Sequence, residues 1–312
     1  MPNPSCLLQR PLRGIIPPLV TPLSGPDRLD VPGFEKLIDH VLKGGCSGVF
    51  VLGSTGEAPA LSYELRREVI QRACDRISGR VPVLVGVTDT AVVEAVRLGN
   101  AAAQAGASAV VSAPPYYFRL GQADLLRHTE LLTREIELPL FLYNMPQLTK
   151  LVYEPETVLE AADIPGVVGI KDSSGDLMYL NRVLRLLRAK PDFTILIGPE
   201  ELLAQAVLIG VHGGIAGGSN VWPELFVQLY KEAFGGNLDA VRLIQRRVIE
   251  ISERIYRLND EPASYTRGMK CVLGVLGICS DLPAAPLAPI SDVERETVRA
   301  HLDAINAIPT KH

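Results

Sequence analysis

Short runs of apolar, often β-branched residues recur through the first two thirds of the chain. They read GIIPPLVTPL (14–23), SGVFVLGSTGE (47–57), VPVLVGVTDT (81–90), ASAVVSAPPYY (107–117), LPLFLYNMP (138–146), GVVGIKDSSGD (166–176), FTILIGPEE (193–201) and GVHGGIAGGSN (210–220). Each is too short to cross a membrane, and none alternates cleanly between apolar and polar. That is the pattern of parallel strands covered on both faces. Stretches of helical periodicity lie between them, at 32–43, 61–78, 91–105, 122–135, 155–162, 176–189, 200–208 and 222–234. In the first, Phe34, Leu37, Ile38 and Val41 share one face. Thr90 suits an N-cap and Gly106 a C-terminal stop. Pro155 suits a first helical position, where no N–H is missed. Asp124, Glu156 and Asp176 fall near helix starts, where the dipole favours acids.

Strand and helix alternating eight times predict an α/β fold, a (β/α)8 TIM barrel. An open doubly wound sheet is the alternative. It is disfavoured because the chain has neither a G-x-G-x-x-G nor a G-x-x-x-x-G-K. Residues 237–312 read as two or three helices broken by the Pro-rich DLPAAPLAPISD (281–292). The expected organisation is a barrel over 1–236 with a C-terminal helical appendage, 237–312, packed on it.

Composition narrows the function. The chain has 312 residues, 47% hydrophobic and 21% charged, with a formal net charge of −4. It shows no basic patch for nucleic acid and no apolar run of the ~20 residues a membrane helix needs. The first residues carry no apolar signal region, so a cytoplasmic location is expected. Five cysteines (Cys6, Cys46, Cys74, Cys271, Cys279) with no Cys-x-x-Cys argue against a disulfide framework or a zinc site. Cys46 and Cys74 read as small core residues. The histidines His40, His128, His212, His301 and His312 show no ligand spacing, so no metal is expected. His212, in a Gly-rich turn, is a candidate to approach a site.

In a barrel, chemistry gathers at the C-terminal ends of the strands, and unusual polar residues collect there. Lys171 ends a run that otherwise reads as buried. Either it snorkels to solvent, or it presents an amine to a carbonyl carbon in the barrel mouth, where desolvation disfavours the charged form of an amine. Gly53, Ser54 and Thr55 form a turn whose N–H groups and hydroxyls suit a carboxylate, or an ordinary Ser/Thr turn. Tyr143 is a core filler or a proton relay, and the same ambiguity holds for Tyr116 and Tyr117.

The G-S-T-G-E turn after strand two, Tyr-Asn-Met-Pro after strand five and Gly-Ile-Lys-Asp in strand six occur in order. With them, nearly the whole chain resembles the dihydrodipicolinate synthase/N-acetylneuraminate lyase family of class I aldolases. The resemblance implies that Lys171 forms an imine with pyruvate or another 2-keto acid. Ser54 and Thr55 would hold its carboxylate, and Tyr143 would relay protons. It implies a relay of Thr55 and Tyr143 with Tyr117 contributed by a neighbouring subunit, hence a homodimer or homotetramer. Ile215 would bring its backbone to the imine. No cofactor is implied, because the protonated imine is itself the electron sink. The partners are a small 2-keto acid and an aldehyde.

One departure bears on the substrate. The synthases of lysine biosynthesis carry an arginine shortly after Tyr-Asn-x-Pro to bind the carboxylate of aspartate semialdehyde. Here Leu148 stands in its place, with Lys150 two residues on. Glu200 and Glu201 are either acids at a helix start or, as in the sialic acid lyases, partners for sugar hydroxyls. A 2-keto-3-deoxy sugar acid or a 4-hydroxy-2-oxo acid is the expected substrate. The lysine-pathway synthase is the alternative, and a non-catalytic keto-acid-binding homologue the second.

Overall fold

A computed structural model describes residues 8–258 and 264–308. Cys6 and His312 lie outside the described residues. Eight strands form one parallel sheet: β1 (Gly14–Ile15), β2 (Val49–Val51), β3 (Val83–Gly86), β4 (Ala109–Ser112), β5 (Leu140–Asn144), β6 (Val167–Asp172), β7 (Thr194–Ile197) and β8 (Gly213–Gly214). Consecutive strands are neighbours from β2 to β8, and β8 pairs with β1. The segment after β1 closes the ring. Phe50 N–H donates to the Pro17 carbonyl and Leu19 N–H to the Phe50 carbonyl, both at 2.8 Å. Two adjacent prolines can sit here because this edge uses the Pro17 carbonyl, while the Pro18 carbonyl accepts from the Asn220 side chain at 2.9 Å, and neither N–H is needed. A two-stranded hairpin (Leu23–Gly25 with Arg28–Leu29) lies beside the barrel.

The helices are α1 (Val31–Lys43), α2 (Tyr63–Ile77), α3 (Val92–Ala105), α4 (Gln122–Glu135), the single turn α5 (Pro146–Thr149), α6 (Pro155–Ala161), α7 (Leu177–Leu186), α8 (Leu203–Leu208), α9 (Pro223–Phe234), α10 (Leu238–Ile251), α11 (Ser264–Val275) and α12 (Asp292–Asn306). The predicted face of α1 is buried, and Asp30 caps it through the Gly33 N–H at 3.1 Å. Asp176 caps α7 through two N–H groups. Thr90 is not a cap. Ala91 occupies that position with no side-chain cap, and its own N–H donates to the Asp89 carboxylate two residues earlier at 3.0 Å. Gly106 ends α3 at φ 88°, left-handed backbone that suits glycine.

Two cores explain the apolar runs. Inside the barrel lie Ile16, Phe50, Leu84, Val111, Phe141, Leu196 and their neighbours. Between strands and helices lies a larger cluster that extends without a break into α10, α11 and α12. The appendage therefore shares the barrel's outer core. Each large side chain so buried contributes about 1.5–3 kcal/mol. Polar ties add to the join. Lys270 of α11 forms a buried ion pair with Glu57, the Ala284 N–H donates to Glu57 at 2.8 Å, and the Ser280 N–H donates to Asp30 at 2.9 Å.

Candidate active site

The direction in which Lys171 points follows from strand register. β5 and β6 pair with Leu140 opposite Val167 but Phe141 opposite Gly169, so Val168 is an extra residue in β6. Such a bulge shifts the alternation of side chains by one. Beyond it, Tyr143 faces Lys171 and Asn144 faces Asp172. Tyr143 belongs to the inner core, while Asn144 and Asp172 bond to each other outside the ring at 2.8 Å. Gly169 allows the shift, since a Cβ there would collide with the Phe141 ring and the Thr194 carbonyl. Lys171 is thus 5% exposed, inside the mouth of the barrel. Its Nζ lies 4.1 Å from the centre of the Tyr143 ring and 5.1 Å from that of Phe50.

Tyr143 is buried, at 5% exposure. Burial, the largest single influence, pushes its phenol up. The charge on Lys171 and hydrogen bonds from Ser54, Lys171 and Ser173 outweigh it, and the net shift is below the ordinary tyrosine value. An acidified phenol beside an amine is equipped to pass protons. Ser54 comes from the turn after β2, which is bracketed by two non-glycine residues in left-handed conformation, Leu52 (φ 59°) and Glu57 (φ 55°). Such backbone costs of order 1–3 kcal/mol per residue and persists only where its surroundings impose it. The Glu57 contacts to Lys270 and Ala284 do so here. The turn closes on itself through the Gly56 and Glu57 N–H groups. Among the described residues, no backbone carbonyl takes the N–H of Ser54 or Thr55, which leaves both to the cavity.

That cavity has a volume of about 720 Å³. Ser54, Thr55, Tyr143, Lys171 and Ile215 line it, together with Glu200, Tyr256, Tyr265 and Leu148. An apolar side pocket of about 200 Å³ opens beside Tyr143, Phe50 and Tyr116. Glu200 accepts from the Gly218 N–H at 2.7 Å and from the Tyr256 hydroxyl. Burial above all, with the charge on Glu201, pushes its carboxyl up to about 8 against those bonds. A carboxyl raised from 4.5 binds its proton more tightly in the folded chain. Its contribution to stability is therefore whole below pH 4.5 and is lost as pH rises toward about 8. Thermal melts across that range are expected to show Tm falling with pH in the wild type and a flatter profile in Glu200→Gln. Parallel profiles would refute the assignment.

The chain's matches to known proteins agree with this geometry. The profile described as "Dihydrodipicolinate synthetase family" matches residues 11–305. The chain belongs to that family. A 4-hydroxy-tetrahydrodipicolinate synthase of Nitrosospira multiformis is 33% identical over 290 residues, covering 92% of this chain and 94% of the relative. The solved dihydrodipicolinate synthase of Bacteroides thetaiotaomicron superposes with a TM-score of 0.93 at 48% identity, covering 95% and 99%. A prophage protein of the same family from E. coli K12, solved in complex with pyruvate, gives 0.89 at 31% identity, with the same coverage. As a member of the dihydrodipicolinate synthetase family, the chain is a Schiff-base lyase of the class I aldolase type.

Of the residues singled out in the sequence, Gly53, Ser54, Thr55, Tyr143, Lys171, Glu200 and Ile215 all line the cavity or its side pocket. Tyr117 does not. It is 79% exposed, stacked edge-on against Phe118 in the loop after β4. His212 is also elsewhere: its Nδ1 accepts the Ile195 N–H early in β7, well before the strand's C-terminal end. His40 and His128 lie in helices, and Cys46 and Cys74 are buried. Among the described residues no three His, Cys, Asp or Glu side chains converge as a metal cage. Sequence reasoning missed Ser173, although its quoted strand end contained it. It also missed Phe50, Tyr256 and Tyr265. The last two come from the appendage, where no strand end marks them.

Proposed function

We propose that this chain forms an imine between Lys171 and the carbonyl carbon of pyruvate or a larger 2-keto acid, and makes or breaks a bond at the adjacent carbon. The observation that carries the proposal is an amine seated inside the barrel mouth, between two aromatic faces, against Tyr143 and open to a large cavity. The amine adds to C2 and water leaves, giving an iminium. A C3 proton is then lost, or the C3–C4 bond breaks, and the electron pair is held as an enamine. Adding the enamine to an aldehyde, then hydrolysing the imine, completes the synthetic direction. Tyr143 moves the proton, and the Ser54–Thr55 turn holds the carboxylate. Gly53 supplies the approach to that turn, and Ile215 the backbone beside the imine. No cofactor enters this scheme.

The test is reduction with borohydride after incubation with pyruvate, followed by digestion and peptide mass spectrometry. A pyruvate-derived mass on the Lys171 peptide is expected. No adduct with pyruvate or any larger 2-keto acid would refute the proposal.

The cavity wall supports a hydroxylated, uncharged aldehyde partner, and so a 2-keto-3-deoxy sugar acid or a 4-hydroxy-2-oxo acid as the joined substrate. Glu200, Tyr256 and Tyr265 offer hydrogen bonds, whereas Leu148 offers none. The cation at the rim, Arg257, is exposed and paired with Glu253 at 3.1 Å. A second reading, 4-hydroxy-tetrahydrodipicolinate synthesis, is favoured by the names of relatives near 30% identity. Competition between neutral hydroxyaldehydes and aspartate semialdehyde separates the two. The neutral partner is expected to win in the wild type. Leu148→Arg should improve kcat/KM for the semialdehyde by about 10- to 100-fold, the worth of one charge-assisted bond.

The proposal extends to setting. Cys46, Cys74, Cys271 and Cys279 are free thiols, as suits the reducing cytoplasm. The barrel over 1–236 would carry the chemistry and 237–312 would brace it. The exposed Tyr117 and Phe118 suit an interface with a second copy in a homodimer or homotetramer. If Tyr117 acts, it acts in that neighbour's cavity.

A further inference from the structure

We infer that Asn144 and Asp172, joined outside the barrel, are positioning residues that aim Tyr143 and Lys171 at each other inside it. The inference rests on the imine reading above. Asn144 follows Tyr143 at the end of β5, and Asp172 follows Lys171 at the end of β6. Successive side chains of a strand point to opposite faces, so each outer residue fixes the facing of the inner one beside it. The Asn144 amide donates to Asp172 Oδ1 at 2.8 Å across the two strands. Both residues are also tied elsewhere. The Asn144 amide oxygen accepts the Tyr153 N–H at 3.2 Å. The Asp172 carboxylate accepts the Ser174 N–H at 3.2 Å and the Ser174 hydroxyl at 3.0 Å. The Asp172 carbonyl accepts the Gly198 N–H, just past β7, at 2.7 Å. Asn144 is 0% and Asp172 1% exposed.

A carboxylate in this place is unfavourable on its own account. Its side-chain partners among the described residues are an amide, a backbone N–H and a hydroxyl, all neutral. Burial raises the carboxyl above its ordinary value against those bonds. An apolar pair would fill the same space with less desolvation. What an apolar pair lacks is direction: it packs in more than one register, whereas an amide and a carboxylate bond in one. β6 needs that direction, because the bulge at Val168 breaks the alternation that would carry register along the strand. The polar pair restores register over the last residues of β5 and β6, where Lys171 Nζ lies 4.1 Å from the centre of the Tyr143 ring.

The test uses the full-length protein and pyruvate alone. Quenching with borohydride after a series of delays gives the rate at which the Lys171 adduct grows. Its dependence on pyruvate separates the maximal rate from the half-saturating concentration. Asn144→Leu keeps the shape of the side chain and removes both polar ends. It is expected to lower the maximal rate on the order of 100-fold, the effect of displacing a reacting group by about 1 Å. The half-saturating concentration should change by less than about threefold, because the Ser54–Thr55 turn comes from β2. Asn144→Asp combined with Asp172→Asn rebuilds the bond in the opposite sense and should bring the rate back to within about fivefold of wild type. An unchanged maximal rate in Asn144→Leu overturns the inference. So does a loss that falls equally on half-saturation, as general loosening of the barrel would give, and so does an exchanged pair that folds but stays slow. If Asn144→Leu does not fold, Asn144→Ala supplies the same comparison. Failure of the wild type to trap pyruvate at all would instead remove the imine reading itself.

Discussion

Lys171→Ala is expected to abolish both pyruvate trapping and turnover, with the fold intact. Removing a covalent nucleophile has cost on the order of 10⁶ in kcat in a hydrolytic enzyme, because the residual site can only bind and orient. The loss here should fall in that range, and a residual rate below about 10⁻⁴ of wild type is the working criterion. Lys171→Arg should be as inert, since a guanidinium is always charged and cannot add to a carbonyl. Stability should respond differently. Alanine leaves space beside Tyr143 and Phe50 but no unpaired charge, as Lys171 is held by aromatic faces. Steady-state assay, trapping and a thermal melt on the same preparation check all three expectations. An alanine variant that still turns over above that level would mean that the amine is not the nucleophile.

Lys270→Met is expected to produce the largest loss of stability. Lys270 is fully enclosed and paired with Glu57, which is itself 5% exposed in its side chain. Burial pulls the lysine below its ordinary value, opposed chiefly by Glu57. Methionine matches the volume of the lysine but leaves a carboxylate without its cation. Breaking such a pair costs about 3–5 kcal/mol. For a chain of this length that is a drop in Tm of roughly 10 °C. The effect should reach the cavity, because Glu57 is two residues from Thr55 and its left-handed conformation is held by Lys270 and Ala284. Glu57→Gln, which keeps the shape and the Ala284 bond, should cost less. A Tm shift below about 2 °C in Lys270→Met would show the pair to be worth nothing net.

Much of this was legible along the chain because it is local. Eight apolar runs separated by helical periods suffice for a barrel, since a strand buried on two faces has no polar side to show. Gly106 and Asp176 behaved as their types predict, because a left-handed stop and an N-cap each depend on a few neighbouring atoms. Thr90 failed for the same reason in reverse. The helix starts one residue later than a Thr90 cap would place it, with the cap position at Ala91, whose side chain can accept no hydrogen bond. The three turns at the ends of β2, β5 and β6 stood out because polar residues interrupt apolar runs there.

The sequence by itself determined the elements, their order and the chemical types available at the strand ends. Only the tertiary structure decided which of those groups meet. Lys171 points inward because Val168 is a bulge, and no count along one strand shows that, since a bulge is defined by the partner strand's register. Tyr256 and Tyr265 reach the cavity from more than eighty residues beyond Lys171, through contacts made by α11 with the barrel. Glu200 acquired its raised carboxyl from burial and the charge on Glu201, against the hydrogen bonds it accepts from Tyr256 and Gly218. Alternation and capping are short-range and leave a trace in the order of residues. Register, enclosure and the docking of a distant helix depend on long-range packing, which leaves no periodic trace at all.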